Sequence, residues 1–161
     1  MAQDMFIKID GIEGESLDAT HKNEIEVLAW RWASSQQSNM HSGSGGGSGK
    51  ATVHDFCFEH YVDKASTNLL SYCLSGKHIK TILFVVRKAG GDPLEYLKLK
   101  FTDVIITHVE TVGSSEDESR PREKVTFAFT KFTQDYVMQN AEGAKSGVIS
   151  TSYDVKSNLR S

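Results

Sequence analysis

Apolar and polar residues alternate with a period of two along most of this chain, the pattern of strands that turn one side toward a core. Residues 6–10 predict a first strand, ended by Gly11 and followed by a turn at Gly14. Residues 25–34 predict a longer one. Ile25, Val27, Ala29 and Arg31 share one face, and Glu26, Leu28, Trp30 and Trp32 share the other. Large apolar groups on both faces argue against a simple solvent-exposed edge. The polar stretch 35–49 reads as a loop, a long hairpin excursion containing the glycine–serine run from Gly43 to Gly49. Residues 53–62 predict the returning strand, with His54, Phe56, Phe58 and His60 on one face and Asp55, Cys57 and Glu59 on the other.

The period then changes. Ala65, Leu69, Leu70, Cys73 and Leu74 form a stripe at helical spacing. Asp63 is placed to accept hydrogen bonds from the first-turn amides, Gly76 to close the last turn in a left-handed conformation, and Lys77 to favour the carboxyl end. Beyond this helix the pattern returns to strands. Residues 79–86 predict one, 89–93 a turn, and 96–112 a strand too long to stay regular, with a bend or bulge expected near Thr102 and Asp103. An exposed loop at 113–122 precedes a strand over 123–132, which 134–136 continues after a twist. Residues 147–155 supply the last strand, and a polar tail follows.

Seven or eight strands and one helix predict a mainly β fold: a closed or nearly closed antiparallel barrel, which protects strand edges that would otherwise lie open. The 161 residues suit a single domain spanning 1–161. The formal charge of -3 arises from 18 basic and 21 acidic residues and shows no concentrated basic stripe for a nucleic-acid duplex. No apolar run approaches the ~20 residues that cross a bilayer, and the first residues do not read as a secretory signal. Neither nucleic-acid binding nor membrane insertion is expected. Cys57 and Cys73 fall on separate predicted elements, and their expected state is free and reduced.

Candidate chemistry does not assemble. The glycine run fails as a phosphate loop: Ser44 stands where the first glycine belongs, and Ala51 replaces the metal-contacting hydroxyl after Gly49 and Lys50. It fails as a dinucleotide fingerprint because Lys50 follows Gly45 and Gly47 where a third glycine is needed. His54, Cys57 and His60 resemble metal ligands in type, but strand parity separates Cys57 from the histidines, and His54 and His60 are ~20 Å apart along an extended strand. These histidines are expected at the surface or an interface. Cys73 and His78 lack an orienting third group, and no spacing brings Asp103, Glu110 and Asp135 together. Lys80, Arg87, Lys88, Lys98 and Lys100 are expected on a solvated face or in salt bridges across an interface. Catalytic, cofactor-binding and metal residues are therefore assigned to none, and the chain is not expected to be an enzyme.

Several strings of residues resemble one family. They are residues 7–16 (Ile-Lys-Ile-Asp-Gly-Ile-Glu-Gly-Glu-Ser), 21–27 (His-Lys-Asn-Glu-Ile-Glu-Val) and 63–66 (Asp-Lys-Ala-Ser), followed by 76–79 (Gly-Lys-His-Ile), 87–91 (Arg-Lys-Ala-Gly-Gly) and 121–125 (Pro-Arg-Glu-Lys-Val). In this order they resemble the Hcp family, the haemolysin-coregulated proteins that build the inner tube of bacterial type VI secretion systems. Thr67 stands where the family commonly has proline, and Tyr153 where tryptophan often precedes the residue now at Asp154. The resemblance implies a homohexameric ring that stacks head to tail under a spike protein, inside a contractile sheath. It further implies that the lumen carries small effectors, and that the protein is made in the cytoplasm and secreted without a signal peptide. The competing class is a small β-barrel binding or adaptor module that forms no tube.

Overall fold

The computed structural model describes residues 3–38, 40, 48–90, 93–117, 119–157 and 159–160. In chain order the strands are β1 (Gln3–Ile9), β2 (Ile25–Glu26), β3 (Ala29–Arg31), β4 (Ser34–Ser38), β5 (Ser48–Val53) and β6 (Phe56–Tyr61). After helix α1 (Ser66–Ser75) come β7 (Ile79–Lys88), β8 (Glu95–Val112), β9 (Arg122–Gln139), β10 (Lys145–Asp154) and β11 (Leu159–Arg160). Nine strands join in one sheet, ordered β11-β10-β9-β8-β7-β1-β2, with β6 branching from β9 and β3 from β6. β4 and β5 pair separately.

This sheet corrects the expectation of a closed or nearly closed barrel. β2 pairs with β1 and β3 with β6, and among the described residues no ladder joins the two, so the sheet is open. The opening lies inside 25–34, where one strand is expected. There the Val27 N–H donates to the Met5 carbonyl at 2.9 Å, and the next N–H, Leu28, donates to the Glu59 carbonyl at 2.8 Å. The chain thus transfers from β1 to β6 between two adjacent amides, each satisfied by a single bond rather than a ladder. The transfer also inverts the expected alternation. Ile25 and Val27 are buried, whereas Ala29 and Arg31 are exposed and Trp30 and Trp32 pack on the core.

Two more expected elements are divided. The 53–62 strand breaks at His54 and Asp55, where the Trp32 indole N–H donates to the His54 carbonyl at 2.9 Å and the His54 N–H to the Ala33 carbonyl at 3.0 Å. The 35–49 loop has strands for arms, with Ser34 opposite Val53 and Gln36 opposite Ala51. Main-chain bonds hold these arms, so their polar side chains gave no strand signal. Gly43 to Gly47 lie outside the described residues, as do Gly91 and Asp92 of the expected turn at 89–93.

The core forms where β1, β6, β7, β8 and β9 turn their inner faces together. Phe56, Phe58, Phe84, Phe101 and Phe127 are wholly enclosed. The Phe56 ring lies 5.1–5.2 Å from the rings of Phe84, Phe101 and Phe127. Tilted arrangements dominate, as the aromatic quadrupole favours.

Helix α1 packs against β8. Ala65 and Leu69 are buried, but Leu70 and Leu74, expected on the same stripe, are exposed. A ten-residue helix resting on one strand covers only a narrow arc, and Leu70 and Leu74 lie one residue, about 100°, around from Leu69 and Cys73. Gly76 takes φ 66° and its N–H donates to the Tyr72 carbonyl, as expected. Asp63, expected as the cap, sits two residues before the N-cap, Ala65: its carboxylate accepts from the Ala65 N–H at 2.8 Å, and its own N–H donates to Ser66 Oγ at 3.1 Å. Lys77 lies over the Tyr72 ring rather than at the last carbonyls.

β8 and β9 are each 18 residues long. Asp103 adopts φ 54° at the expected bend, while the register shift against β9 falls further on, between Ile106 and His108. The tail is not merely polar coil, because β11 pairs with Tyr153 and Asp154.

Candidate assembly surface

The residues weighed for chemistry are dispersed. His54 is exposed, Cys57 is buried on the opposite face of its strand, and His60 is 1 % exposed with Nε2 2.8 Å from Glu123 Oε1. The expectation of surface or interface histidines therefore fails for His60, whose acidic partner lies 63 positions away on the adjacent strand. Cys57 and Cys73 are free thiols. His78 Nδ1 meets Asp103 at 2.9 Å on the surface, apart from the Cys73 side of α1. In strand register Glu110 stands opposite Lys124, and Asp135 opposite Lys98, so the three candidate acids do not converge. Among the described residues no group of three His, Cys, Asp or Glu side chains has metal-holding geometry.

The expected basic face also divides. Lys80, Lys88 and Lys100 are exposed, but Arg87 is buried under the β1–β2 loop. Its guanidinium donates to Asp18 Oδ2 at 2.6 Å, Asp18 Oδ1 at 3.1 Å, Thr20 Oγ1 at 3.2 Å and Asp4 Oδ2 at 3.0 Å. These bonds hold the Asp18 carboxyl well below the usual carboxylate range and raise Arg87 further above its own. Beside this clamp the His21 ring stacks on Phe6, with Nδ1 3.0 Å from Glu24 and Nε2 2.6 Å from Glu95. Burial works against the Glu95 charge, but the bonds from His21 and Lys98 hold its carboxyl below the ordinary value. The clamp fastens the loop over the outer face of β1 and β7. Sequence spacing offers no signal for it, because Arg87 is 67 to 83 positions from the residues it grips.

Exposed apolar residues gather at the far end of the sheet. Residues directly opposite in an antiparallel pair project to the same face. Leu99, Gln134 and Thr151 are aligned across β8, β9 and β10, as are Leu97, Tyr136 and Ile149. Leu99 is wholly buried, so this is the core-facing side of the sheet. Two residues further out that same side carries Tyr136 47 % exposed and Ile149 59 % exposed, with Met138 37 % exposed beyond them. The core face thus continues past the core. The outward face of β10 adds exposed Val148.

The edge of β10 is equally open. β10 pairs along one side with β9 and on the other with β11 only at Tyr153 and Asp154. Among the described residues no strand covers that side of Lys145–Ser152. A register shift between Lys145 and Gly147 disrupts its start. Beyond it Val148, Ile149, Ser150 and Thr151 include neither proline nor charge, the devices that blunt an edge against pairing with another chain.

The chain as a whole is similar to known proteins of one kind. Residues 6–136 fit the family model for the type VI secretion system effector Hcp. The chain belongs to the Hcp family. Protein hcp1 of Pseudomonas aeruginosa is 44 % identical to this chain over 148 residues, 91 % of each sequence. The crystal structure of a type VI secretion system effector from Yersinia pestis is 62 % identical, with TM-score 0.78, and covers 94 % of this chain and 100 % of that one. Hcp1 from Salmonella typhimurium is 48 % identical, with TM-score 0.80 and full coverage of both chains. Membership gives this Hcp chain a structural role as a tube- and ring-forming subunit of type VI secretion, not an enzymatic one.

Proposed function

We propose that this Hcp chain is the repeating unit of a hollow tube, six copies joined edge to edge in a ring and the rings stacked head to tail. The observation that carries this reading is the β9–β10 extension, where Tyr136, Met138 and Ile149 continue the core face beside the open edge of β10. β3 supplies a second, unlike edge, since it pairs only with β6 among the described residues. Contacts between two unlike surfaces are heterologous, and they close into a ring when the rotation between copies permits.

The finer partners rest on family membership. The tube works with a spike protein and a contractile sheath, and its lumen carries and stabilises small effectors. The chain is made in the bacterial cytoplasm and expelled by the machine, outside the producer or into a target cell. The β4–β5 hairpin, paired apart from the main sheet, reaches toward a neighbouring ring. Deleting Gly43 to Gly49 spares the fold in this reading and impairs stacking or secretion; normal secretion by that deletion removes the hairpin's role.

The deciding experiment is particle mass together with negative-stain imaging of the purified chain. Six-subunit annuli are expected. A particle that stays monomeric at high concentration, even beside its spike and sheath, overturns the tube reading, and a saturable external ligand on that monomer favours an adaptor module instead.

A further inference from the structure

One buried titratable group is used by none of the surfaces above. His60, near the end of β6, stands directly opposite Glu123 at the start of β9. Its Nε2 lies 2.8 Å from Glu123 Oε1. On the other side Nδ1 faces Asp63 Oδ2 at 3.8 Å, too far for a hydrogen bond, and has no other partner. The side chains of all three residues are 8 % exposed or less. Among the described residues no cation other than His60 makes a salt bridge to Glu123 or Asp63.

The charged groups of the surrounding elements are occupied elsewhere. In the connector before α1, the Lys64 ammonium pairs with Glu13 and the Lys64 backbone N–H donates to Glu15, both from the β1–β2 loop. Arg120 and Arg122 lie against the Tyr61 ring. Glu59 of β6 pairs with Lys124 of β9, and Glu110 of β8 with His108. The first turn of α1 has no acidic residue, and the helix enters through buried Ala65 and Leu69. At its other end exposed His78 meets Asp103.

We infer that His60, Glu123 and Asp63 form a proton-operated clasp that docks the start of α1 against β6 and β9. With both ring nitrogens protonated, the imidazolium donates to Glu123 and presents a positive N–H to Asp63. Loss of one proton leaves Nε2–H for Glu123, the shorter contact, and turns an Nδ1 lone pair toward the Asp63 carboxylate. The Asp63 limb therefore opens first. Asp63 carries the entry into the helix: its carboxylate accepts from the Ala65 N–H, its carbonyl from the Ser66 N–H, and its own N–H donates to Ser66 Oγ. Release at Asp63 loosens the first turn of α1.

Burial disfavours the His60 charge, but the two carboxylates, Asp63 and hydrogen-bonded Glu123, outweigh it and raise the imidazole above its ordinary 6.5. A raised folded value means that the clasp is fully stabilising below 6.5 and loses its contribution as pH rises through the folded value.

The test is hydrogen exchange of the full chain over a pH series, read in peptides covering α1 and corrected for intrinsic exchange. In the unsubstituted chain, protection of the first turn should fall by up to about tenfold per pH unit across the His60 titration, while peptides of β7 and β8 stay unchanged. His60→Lys, a cation throughout the series, should flatten the profile; His60→Gln should lower protection already at acid pH. His78→Gln should leave the fall intact. A flat profile in the unsubstituted chain overturns the clasp, as does an equal fall in His60→Lys. Should that variant not fold, ring-labelled histidine resonances of the unsubstituted chain decide: a His60 midpoint below 6.5, or one separate from the loss of α1 protection, refutes it.

Discussion

Replacing Ile149 with aspartate should prevent ring assembly without unfolding the subunit. Complete burial of an isoleucine contributes about 1.5–3 kcal/mol. Ile149 is 59 % exposed, so a neighbour covering the remainder gains about 1–2 kcal/mol at each contact. At 1.4 kcal/mol per factor of ten, that alone is roughly a 5–25-fold change in affinity. Aspartate also strands a carboxylate in the contact, adding several kcal/mol when no cation pairs with it. Each copy in a closed ring gives one such contact and receives one, so six contacts lose about 6–12 kcal/mol from the apolar part alone. The assay is sedimentation velocity across a dilution series, with Ile149→Ala as the milder variant. Substituting an exposed residue should change subunit stability by only about 0.5 kcal/mol, checked by the thermal midpoint. If Ile149→Asp assembles over the same concentrations as the unsubstituted chain, the β9–β10 extension is not the ring contact.

Other substitutions separate packing from charge. Phe56→Ala should lower stability by about 3–5 kcal/mol in denaturant titration, because its ring sits among those of Trp30, Phe84, Phe101 and Phe127; a loss under 1 kcal/mol, about one methylene's burial, contradicts that packing. Gly14→Ala would place a Cβ 2.5 Å from the Glu24 carbonyl oxygen and should cost about 1–3 kcal/mol by overpacking, whereas Gly113→Ala, with only the Pro121 side chain 3.6 Å away, should be near neutral. Equal losses at the two glycines dismiss the close-approach argument. Because the Asp18 carboxyl is held low, its contribution is present above the ordinary carboxylate range and lost as pH falls through the folded value. The stability gap between the unsubstituted chain and Asp18→Asn should therefore close in strong acid, and a gap that ignores pH removes the Arg87 clamp as its cause.

Local pattern reached the helix and the strands of the core, though not β4, β5 or β11, because alternation and helical spacing are properties of neighbouring positions. Phe6, Phe84, Phe101 and Phe127 could be assigned to strands from their own surroundings, and Gly76 to the end of α1 from its place after Leu74. The family, too, was readable in linear order, since the strings from Ile7 to Val125 are short and contiguous. The open sheet was not. Whether residues 25–34 run as one strand depends on which chain each amide meets, and the answer changes between Val27 and Leu28.

The buried charges were hidden for the same reason. His60 reads as one member of an alternating strand until β9 brings Glu123 beside it, and Arg87 reads as one of five surface cations until the β1–β2 loop folds Asp18 over it. Likewise Tyr136 and Ile149 alternate like core residues and become a docking face only because the sheet outruns its core. Side-chain chemistry along the chain sets which segments become strands or helix, through forces acting over a few residues. Burial, pairing and exposure are relations between segments far apart in the chain, and they exist only once folding has brought those segments together.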